Sequence, residues 1–411
     1  MVTSTPTYSN ITLGSSLIAG DASSSWVSPS KDFAFGFQQM DSGSFLLGIW
    51  FNRIPEKTIV WSPNRDHLAL KGSKVELTTD KSLILTDPSG REIWKANKGL
   101  QTIAYAAMLD TGNFVLVTRD SVVAWQSFDE PSDTLLPTQT LKQGSRLIAS
   151  FSKKNHSSGR FTLDLGFNGN LALYTTSFPL FNTLNTNYQI FEDQGLGYQL
   201  VFSQDGSLYL IDSNNRKLVA DIFQNEVYTQ VLYQRVILEY DGVLRHYIYT
   251  RSMSSSRGWS IKSFTPENIC IAVIQQTGSG VCGFNSYCKL GDGKRPNCIC
   301  PPGYALLDSK NEMGGCYRNF LPQNCKDGSQ EINQFDFQVL QDVDWPLSDY
   351  EYFPNVTKDW CRKDCLADCF CDVAIFRDGG DCWKKRMPLS NGKNDTSVDR
   401  TAFIKIRIGG G

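Results

Sequence analysis

The chain has 411 residues, of which 41% are hydrophobic and 20% are charged, and its formal net charge at pH 7 is −2. This length exceeds one typical hydrophobic core and predicts about two to four domains, while the composition excludes a disordered chain. A nearly neutral chain lacks the basic field that holds nucleic acid, and no apolar run reaches the roughly 18 residues that would predict a membrane span.

The sequence starts without the charged and apolar regions of an export signal. All twelve cysteines lie between Cys270 and Cys382, and an even number favours complete pairing in an oxidising compartment. Four glycosylation triplets also indicate the secretory pathway, and they begin at Asn10, Asn155, Asn355 and Asn394. We therefore expect an extracellular protein whose signal peptide and transmembrane segment lie outside residues 1–411; a mature soluble protein is the alternative.

Residues 1–265 contain no cysteine and are predicted to be almost wholly β. A recurring unit has a polar turn, usually with Gly, followed by alternating apolar residues, which is the pattern of a β-hairpin whose turn needs a positive φ. Its copies occupy residues 79–85, 109–117, 167–174, 204–210 and 240–244. Because the copies fall on both sides of residue 150, they predict two related β domains in tandem.

Four tryptophans end or interrupt β-like runs in the first of these domains: Trp50, Trp61, Trp94 and Trp125. Large rings of this kind commonly fill the centre of a closed or prism-like β domain. Stacking against a bound ligand is the alternative, but none of the four has a polar cluster of its own. We therefore predict that they pack in the core.

Five segments carry a specific resemblance: residues 33–37, 47–51, 58–66, 90–94 and 125–137. They resemble the bulb-type (G-type) lectin domain of plant S-domain receptor kinases, and the segment from Trp125 to Pro137 is close to a signature of that family. Ser62 and Pro63 stand where the family usually has Val-Ala before Asn-Arg-Asp, which indicates a divergent branch.

The resemblance covers nearly the whole chain and implies a mainly β fold, in which tandem β-prism (bulb-lectin-like) domains precede a small EGF-like module and an α+β PAN/apple module. Its expected boundaries are 1–145 for the bulb-type lectin domain and 146–265 for a second lectin-like domain similar to S-locus glycoproteins. The EGF-like module is expected at 266–320 and the PAN/apple module at 321–411.

The mannose site of bulb lectins resembles Gln-x-Asp-x-Asn-x-Val-x-Tyr, in which the amides and the carboxylate hold the sugar hydroxyls. Residues 109–117 keep only Asn113 and Val115 of this pattern, and residues 78–86 keep only Asp80. A hydroxyl site that loses most of its partners loses most of its affinity, so we expect at best weak mannose binding. Asp80 and Asn113 are predicted to form turns instead.

The second lectin-like domain keeps two residues of the same pattern, Asn170 and Tyr174. It lacks Gln and Asp at the two earlier places, and Asp205 belongs to another hairpin. These positions are therefore candidates for a degenerate carbohydrate site.

Six cysteines are concentrated after the β-rich part: Cys270, Cys282, Cys288, Cys298, Cys300 and Cys316. Six cysteines allow fifteen pairings, so their spacing alone does not choose among them. The resemblance of this run to an EGF-like module implies three disulfides: Cys270–Cys288, Cys282–Cys298 and Cys300–Cys316. The calcium-binding subtype needs acidic oxygen ligands before the first cysteine, and only Glu267 and Asn268 are present there, so no calcium is predicted.

The remaining six cysteines are Cys325, Cys361, Cys365, Cys369, Cys371 and Cys382. Those at 361, 365 and 369 have the spacing of one helical face, which could anchor a helix to a sheet. Zinc binding by neighbouring thiolates is the rival interpretation, but the repeated Cys-x2-Cys of structural zinc sites is absent. The segment 360–371 resembles a PAN/apple domain, which implies the pairs Cys361–Cys382 and Cys365–Cys371 and leaves Cys325–Cys369.

No catalytic residue, metal site or cofactor is predicted. The three histidines, His67, His156 and His246, have no metal-ligand neighbour at suitable spacing, and phosphate-binding loops, nucleophile elbows and kinase signatures are absent. A carboxylate pair that cleaves glycosidic bonds is the enzymatic alternative, because acidic residues are plentiful. Solvated surface carboxylates are the simpler interpretation.

The resemblance implies recognition, as the ligand-binding ectodomain of a plant receptor kinase at the extracellular face of the plasma membrane. The expected ligand is a glycan, a lipid-like molecule or a peptide, and a homodimer or a co-receptor would transmit the signal in immunity or self-recognition. A secreted soluble lectin or S-locus-like glycoprotein without a kinase is the alternative, and a polysaccharide-cleaving enzyme is a third hypothesis.

Overall fold

The computed structural model describes residues 10–21, 25–80, 82–96, 99, 101–179, 182–192, 196–218, 221–224, 232–251, 258–325 and 331–408. The chain divides into two compact units, one formed by Met1–Leu173 with Ile190–Phe264 and the other by Tyr174–Gln189 with Thr265–Gly411. Strands dominate both units, so the predicted mainly β fold class is confirmed.

The strands β1 to β12 form what we call the first lobe of the first unit: β1 (Ile11–Thr12), β2 (Ser16–Ile18), β3 (Ser25–Val27), β4 (Phe33–Gln39), β5 (Phe45–Phe51), β6 (Ile59–Trp61), β7 (Lys74–Leu77), β8 (Leu83–Thr86), β9 (Glu92–Lys95), β10 (Ile103–Met108), β11 (Phe114–Thr118) and β12 (Val123–Gln126). They pair into antiparallel sheets in the orders β1-β10-β11-β12, β2-β7-β8-β9 and β3-β4-β5-β6. Side chains alternate between the two faces of each strand, and the inward residues of the three sheets form one hydrophobic core. Three sheets around a shared core make a β-prism.

Three tryptophans meet in this core, one from each sheet: Trp61 in β6, Trp94 in β9 and Trp125 in β12. Their ring centroids lie 5.7–6.0 Å apart in edge-to-face arrangements. The indole N–H groups of Trp61 and Trp125 donate to the backbone carbonyl and the carboxylate of Glu130, at 2.7 and 2.9 Å. Trp50, Trp61 and Trp125 are at most 5% exposed and Trp94 is half-buried, so the prediction of core packing is confirmed.

The next strands along the chain are β13 (Thr134–Leu135), β14 (Thr140–Lys142), β15 (Ser145–Ser150), β16 (Ser158–Leu165), β17 (Leu171–Ser177), β18 (Asn182–Glu192), β19 (Gln199–Phe202), β20 (Leu208–Ile211), β21 (Leu232–Leu238), β22 (Leu244–Thr250) and β23 (Ser260–Thr265). Within the first unit the sheet orders are β13-β21-β22-β23 and β14-β19-β20, and β15 pairs with β16. We call the strands of these two sheets, together with β15 and β16, the second lobe. The strands of the second lobe begin before residue 146, the expected start of the second domain, because Thr134 in β13 already pairs with Ile237 in β21.

The glycines of the hairpin turns have the positive φ that the sequence pattern predicts. Their φ angles are 86° at Gly112, 81° at Gly169, 89° at Gly206 and 83° at Gly242. A side chain with a Cβ is strained at these angles, so glycine fixes where each hairpin turns and which residues then alternate inward.

The motif Asn64-Arg65-Asp66 joins the two lobes of the first unit. The guanidinium of Arg65 donates to the carbonyl of Ile148 at 2.8 Å. The carboxylate of Asp66 accepts the N–H of Ser158 at 2.6 Å and its hydroxyl at 2.7 Å. Desolvation alone raises the pKa of Asp66, but the bonds from Ser158 and the charge of Arg65 outweigh it and hold the pKa below its usual range.

We expect Asp66→Ala to lower the free energy of unfolding by about 1 kcal/mol at pH 7, because two hydrogen bonds to an ionised but largely exposed carboxylate are lost. The folded-state pKa is depressed, so this stabilisation is present above the unfolded-state pKa of about 4 and is lost as the pH falls through the folded-state pKa. Urea unfolding of both proteins over a pH series measures the difference. A difference that stays constant as the pH falls well below 4 contradicts the prediction.

The second unit contains two helices, α1 (Ile269–Ala272) and α2 (Lys358–Ala367), among its described residues. Its strands are β24 (Tyr287–Leu290), β25 (Pro296–Ile299), β26 (Tyr304–Leu306), β27 (Cys316–Arg318), β28 (Phe335–Gln341), β29 (Val343–Asp344), β30 (Asp349–Phe353), β31 (Val373–Arg377), β32 (Asp381–Lys385), β33 (Lys393–Asn394) and β34 (Thr401–Arg407). Their sheet orders are β25-β24-β33-β29, β26-β27 and β28-β34-β31-β32-β30.

Helix α2 packs on the five-stranded sheet through Cys361 and Cys365, which share a core cluster with Phe376 of β31. The expectation that Cys369 lies on the same helical face is wrong, because the helix ends at Ala367. Asp368 leaves the helical conformation, and its carboxylate accepts the N–H of Phe370 at 2.9 Å, which turns the chain away from the helix axis.

All twelve cysteines are paired: the five pairs that the two resemblances imply are present, and so is Cys325–Cys369, the pair that was left over. The six pairs are Cys270–Cys288, Cys282–Cys298, Cys300–Cys316, Cys325–Cys369, Cys361–Cys382 and Cys365–Cys371. No thiolate is left for zinc, so the rival interpretation is excluded. Each closed loop restricts the unfolded chain, which typically stabilises a fold by about 2–4 kcal/mol.

The two disulfide-rich segments of the second unit share one sheet, because β24 pairs in parallel with β33. Beside this pairing, the side-chain amide of Asn391 donates to the carbonyl of Gln275 at 2.9 Å and accepts its N–H at 2.8 Å. The fully buried Trp345 donates its indole N–H to the carbonyl of Ser286 at 2.7 Å. These buried polar pairs fix how the segments join.

Candidate ligand-recognition surfaces

A cleft, which we call the Asn113 cleft, lies between the turn of the β10–β11 hairpin in the first lobe and β14 of the second lobe. Its volume is about 290 Å³, and it is lined by Leu109, Thr111, Asn113, Gln126, Phe128, Asp129, Thr138, Thr140 and Lys142. The ammonium of Lys142 lies 2.8 Å from the carboxylate of Asp129 at this cleft. The cleft therefore combines one ion pair with several hydroxyl and amide groups.

Asn113 is 6% exposed, and its side chain is engaged within the protein. The amide Nδ2 donates to Gln126 at 2.9 Å, while Oδ1 accepts the hydroxyl of Ser127 at 3.1 Å and the N–H of Phe128 at 3.2 Å. Its backbone carbonyl accepts the N–H of Leu109 and closes the turn. Asn113 thus serves the fold first, as a turn residue.

The strand that follows Asn113 leaves little room for a sugar. Val115 and Val117, which occupy the next two places of the mannose pattern, are 3% and 6% exposed and form an apolar cluster with Ala107. An apolar cluster offers no partner for a hydroxyl group.

The other sequence-predicted residues lie on separate hairpins. Asp80 is exposed at the turn between β7 and β8, where it accepts the hydroxyl of Thr78. Asn170 closes a turn: its carbonyl accepts the N–H of Gly166 at 2.9 Å, and Tyr174 is half-buried farther along β17. The structure therefore does not gather Asp80, Asn113 and Asn170 into one site.

A larger cleft, which the sequence analysis did not identify, lies on the second lobe, and we call it the Tyr209 cleft. Its volume is about 770 Å³, and it is lined by Val201, Ser203, Asp205, Ser207, Tyr209, Ile211, Asn215, Lys217, Asp221 and Gln224. The odd-numbered residues from 201 to 211 form one face of the β19–β20 hairpin, whereas Phe202, Leu208 and Leu210 of the opposite face are 0% exposed. This alternation was the signal in the sequence that could have located the cleft.

The charges of the Tyr209 cleft are held in place. Desolvation raises the pKa of Asp205, but hydrogen bonds from Ser203 and Ser207 outweigh it and hold the pKa below its usual range, so the carboxylate is ionised at neutral pH. The ammonium of Lys217 lies 4.2 Å from the centroid of the Tyr209 ring and pairs with the carboxylate of Asp221.

Among the residues that the structure describes, no three His, Cys, Asp or Glu side chains are grouped so that they could hold a metal ion. Asn268, weighed above as a calcium ligand, caps α1 by accepting the N–H of Cys270 at 3.1 Å. His246 is 0% exposed and bonds to Gln234 at 2.9 Å, and burial lowers its pKa to about 4. This histidine is a neutral core residue.

One of the four glycosylation asparagines differs from the others. Asn10, Asn155 and Asn355 are exposed, whereas Asn394 is half-buried in β33. Its Nδ2 atom donates to the carbonyls of Gln341 at 3.0 Å and Asp342 at 3.2 Å. A glycan is attached through this same nitrogen and would replace one of the two donated hydrogens.

When the chain is expressed through the secretory pathway, we expect glycans at Asn10, Asn155 and Asn355 and little or none at Asn394, because glycosylation there competes with the pairing of β33. Mass spectrometry of glycopeptides from the folded protein measures the occupancy. Asn355→Gln should increase electrophoretic mobility, and the matched variant Asn394→Gln should not. Full occupancy at Asn394 in protein of undiminished stability contradicts the prediction.

In the described part of the chain, no helix is both long enough and apolar enough to cross a membrane. The family model of the D-mannose binding lectin matches residues 58–154. Among solved structures, the Japanese Marasmius oreades lectin covers 33% of this chain and 90% of its own, with a TM-score of 0.24 and 17% identity. The mannose-specific agglutinin from snowdrop bulbs (Galanthus nivalis) covers 31% of this chain and 99% of its own, with a TM-score of 0.22 and 19% identity.

Several curated relatives match almost the whole chain. The G-type lectin S-receptor-like serine/threonine-protein kinase LECRK3 of Oryza sativa subsp. indica is 40% identical over 97% of this chain and 51% of its own length. The corresponding kinase RLK1 of Arabidopsis thaliana is 35% identical over 97% of this chain and 50% of its own length. The chain thus spans about half the length of these relatives. The resemblance identified from the motifs is confirmed: the chain carries a bulb-type lectin domain and corresponds to the lectin-containing half of the G-type lectin S-receptor-like kinases.

Proposed function

We propose that this chain is the extracellular ligand-recognition region of a plant receptor kinase and that it acts by binding. The observation that carries the proposal is the similarity of 97% of the chain to the lectin-containing half of such kinases. The paired cysteines support an extracellular location, because disulfides persist in oxidising compartments. The proposed domains are 1–145, 146–265, 266–320 and 321–411, with the EGF-like and PAN/apple modules last, although β13 and β14 at the end of the first domain pair with strands of the second lobe.

The proposed ligand is a glycan. The matched family is described as a mannose-binding lectin, and both clefts of the first unit are lined by hydroxyl, amide and carboxylate groups of the kind that hydrogen-bond sugar hydroxyls. Each cleft lies on a hairpin whose other face is anchored in a core, so its groups are preorganised and lose little entropy when a ligand binds.

Signalling would follow from proximity between receptors. A glycan with several binding units, or a direct contact between two ectodomains, would hold two chains together outside the plasma membrane. The kinase domains of the two parent proteins would then meet at a raised effective concentration, without any new contact between them.

The test begins with the parent transcript and continues in cells. We expect an apolar segment and kinase motifs after residue 411, and phosphorylation of the full-length receptor when cells receive plant or microbial glycan fractions. A transcript that ends soon after residue 411 without such a segment supports a secreted soluble lectin instead. Release of reducing sugar by this chain, abolished by one carboxylate substitution, contradicts a purely binding role.

We expect the Asn113 cleft to bind mannose with a dissociation constant of about 1 mM or weaker, because the polar atoms of Asn113 are occupied and the buried Val117 stands where the pattern has tyrosine. Calorimetric titration with methyl α-mannoside and with mannose oligomers measures the affinity. Thr111→Val and Lys142→Met each remove one polar group of this cleft; the first also removes the 3.4 Å hydrogen bond from the N–H of Asn113, and the second removes the ion pair with Asp129. Micromolar binding that either variant abolishes contradicts the prediction.

A further inference from the structure

Of the nine tryptophans in the chain, Trp360 alone is exposed, at 39%. It lies in the first turn of α2, and its ring packs edge-to-face on that of Phe353, the last residue of β30, with a centroid distance of 5.0 Å. We call the outward sides of these two rings the Trp360 surface. A tryptophan that stays open to water forgoes hydrophobic stabilisation, so an occupant that covers it stabilises the fold.

We propose that the Trp360 surface binds the first N-acetylglucosamine of a glycan on Asn355, and that this sugar stabilises the start of α2. The occupant is a sugar that the chain itself carries, so the site differs in kind from both clefts of the first unit. It requires the predicted glycosylation of Asn355, whereas the proposed recognition function does not.

Asn355 lies in the short segment that joins the two rings. Phe353 stands two residues before it and Trp360 five residues after it, and the two rings are in contact. A segment whose ends meet over so few residues turns sharply, and Asn355 has a φ of 58°, in the left-handed region that asparagine tolerates. Its side chain is exposed, so a sugar attached there begins beside both rings.

The last residue of the glycosylation triplet fixes Trp360 relative to Asn355. Thr357 is the N-cap of α2, and its hydroxyl accepts the N–H of Trp360 at 3.2 Å. Between Asn355 and this cap, the N–H of Val356 donates to the carbonyl of Gly380 at 2.9 Å. These bonds hold the attachment point and the indole ring in one arrangement, so a contact between sugar and ring costs little entropy.

The Trp360 surface is anchored from the core side. Phe353 is the partner of Cys382 across the β30–β32 pairing, and it packs against the cluster that holds α2 on the sheet. The ammonium of Lys384 lies 5.4 Å from the centroid of the Phe353 ring. The ring that supports Trp360 is therefore held in place, and the surface does not depend on the sugar for its formation.

A pyranose suits this surface. The C–H groups on one face of N-acetylglucosamine are apolar and pack on an aromatic ring, while the hydroxyl groups stay in water. The covalent bond to Asn355 gives the sugar a high effective concentration, so a contact too weak to capture a free sugar is populated here. Covering Trp360 then favours the start of α2, because sugar and ring meet only when Thr357 caps the helix.

The turn that carries Asn155 provides a matched control. The residue two places before Asn155 is the exposed Lys153, whereas Phe353 stands two places before Asn355. The side-chain oxygen of Asn155 accepts the N–H of Ser157 at 3.0 Å, which closes a local turn. A glycan at Asn155 is therefore on an exposed turn that has no ring at the equivalent position.

The test uses the whole chain, made in a secretory host that attaches high-mannose glycans containing isotope-labelled N-acetylglucosamine. Endoglycosidase H trims each glycan to its first sugar, and NMR records the C–H signals, which Asn355→Gln and Asn155→Gln assign. We expect the signals of the sugar at Asn355 to lie upfield of those at Asn155, because an aromatic ring shields groups above its face. Trp360→Leu, which keeps a good helix former at this exposed position, should remove the upfield shift.

Amide hydrogen exchange in α2, Lys358–Ala367, measures the stabilisation. We expect Asn355→Gln to speed this exchange about fivefold, the factor that corresponds to one aromatic contact, whereas Asn155→Gln should leave it unchanged. In the Trp360→Leu background, Asn355→Gln should have little further effect, because the ring that the sugar covers is gone.

Three results would overturn the proposal. Coincident sugar signals at Asn355 and Asn155 in the otherwise unaltered chain would show that no ring lies beneath the sugar. An equal effect of Asn355→Gln on α2 with and without Trp360 would show that the sugar acts by another route. An Asn355 without a glycan would remove the occupant altogether. The proposed recognition function is tested separately, by receptor phosphorylation, and stands or falls independently of these results.

Discussion

The meeting of Trp61, Trp94 and Trp125 is the contact on which the first lobe depends. Each ring comes from a different sheet, so their edge-to-face packing is what closes three sheets into one prism. Glu130 binds two of the indole N–H groups and thereby satisfies polar atoms that burial would otherwise leave costly. Because the closed prism fills its centre with these rings, the ends of the hairpins face outward. The candidate recognition surfaces lie on those outward-facing ends.

The two lobes of the first unit use the same hairpin for different purposes. In the first lobe the outward face of the hairpin carries valines and a turn-forming asparagine, and the valines pack in an apolar cluster that closes this face. In the second lobe the corresponding face carries Tyr209 and hydroxyl-bearing residues, and it stays open. One backbone can therefore either seal or expose its outer face, because alternate residues of a strand are chemically independent of those in the core.

The second unit is stabilised differently. Its segments have small apolar clusters, so six disulfides and buried polar contacts provide the stabilisation that a larger hydrophobic core would otherwise provide. Lys405 illustrates this: its ammonium donates to the carbonyls of Cys365 and Asp368, at 2.9 and 2.7 Å, and so caps the C-terminal end of α2. Burial lowers the pKa of Lys405 to about 8, and the carbonyl partners explain why the cation is tolerated there.

The sequence by itself determined the β-hairpin repeat, the core role of the tryptophans and the division between a thiol-free part and a disulfide-rich part. The first two properties depend on local rules, namely glycine at positive φ and strict alternation of side chains along a strand. The third depends on cysteine content, because paired cysteines require an oxidising compartment. Only the tertiary structure decided that α2 ends before Cys369, that Asn394 is engaged in a sheet, and that Tyr209 and Asp221 share a cleft. Those facts depend on which segments of the chain lie beside one another in the fold. The alternation of apolar and polar residues does not specify these neighbours, because the same alternation occurs in a hairpin whose outer face is buried and in one whose outer face is open.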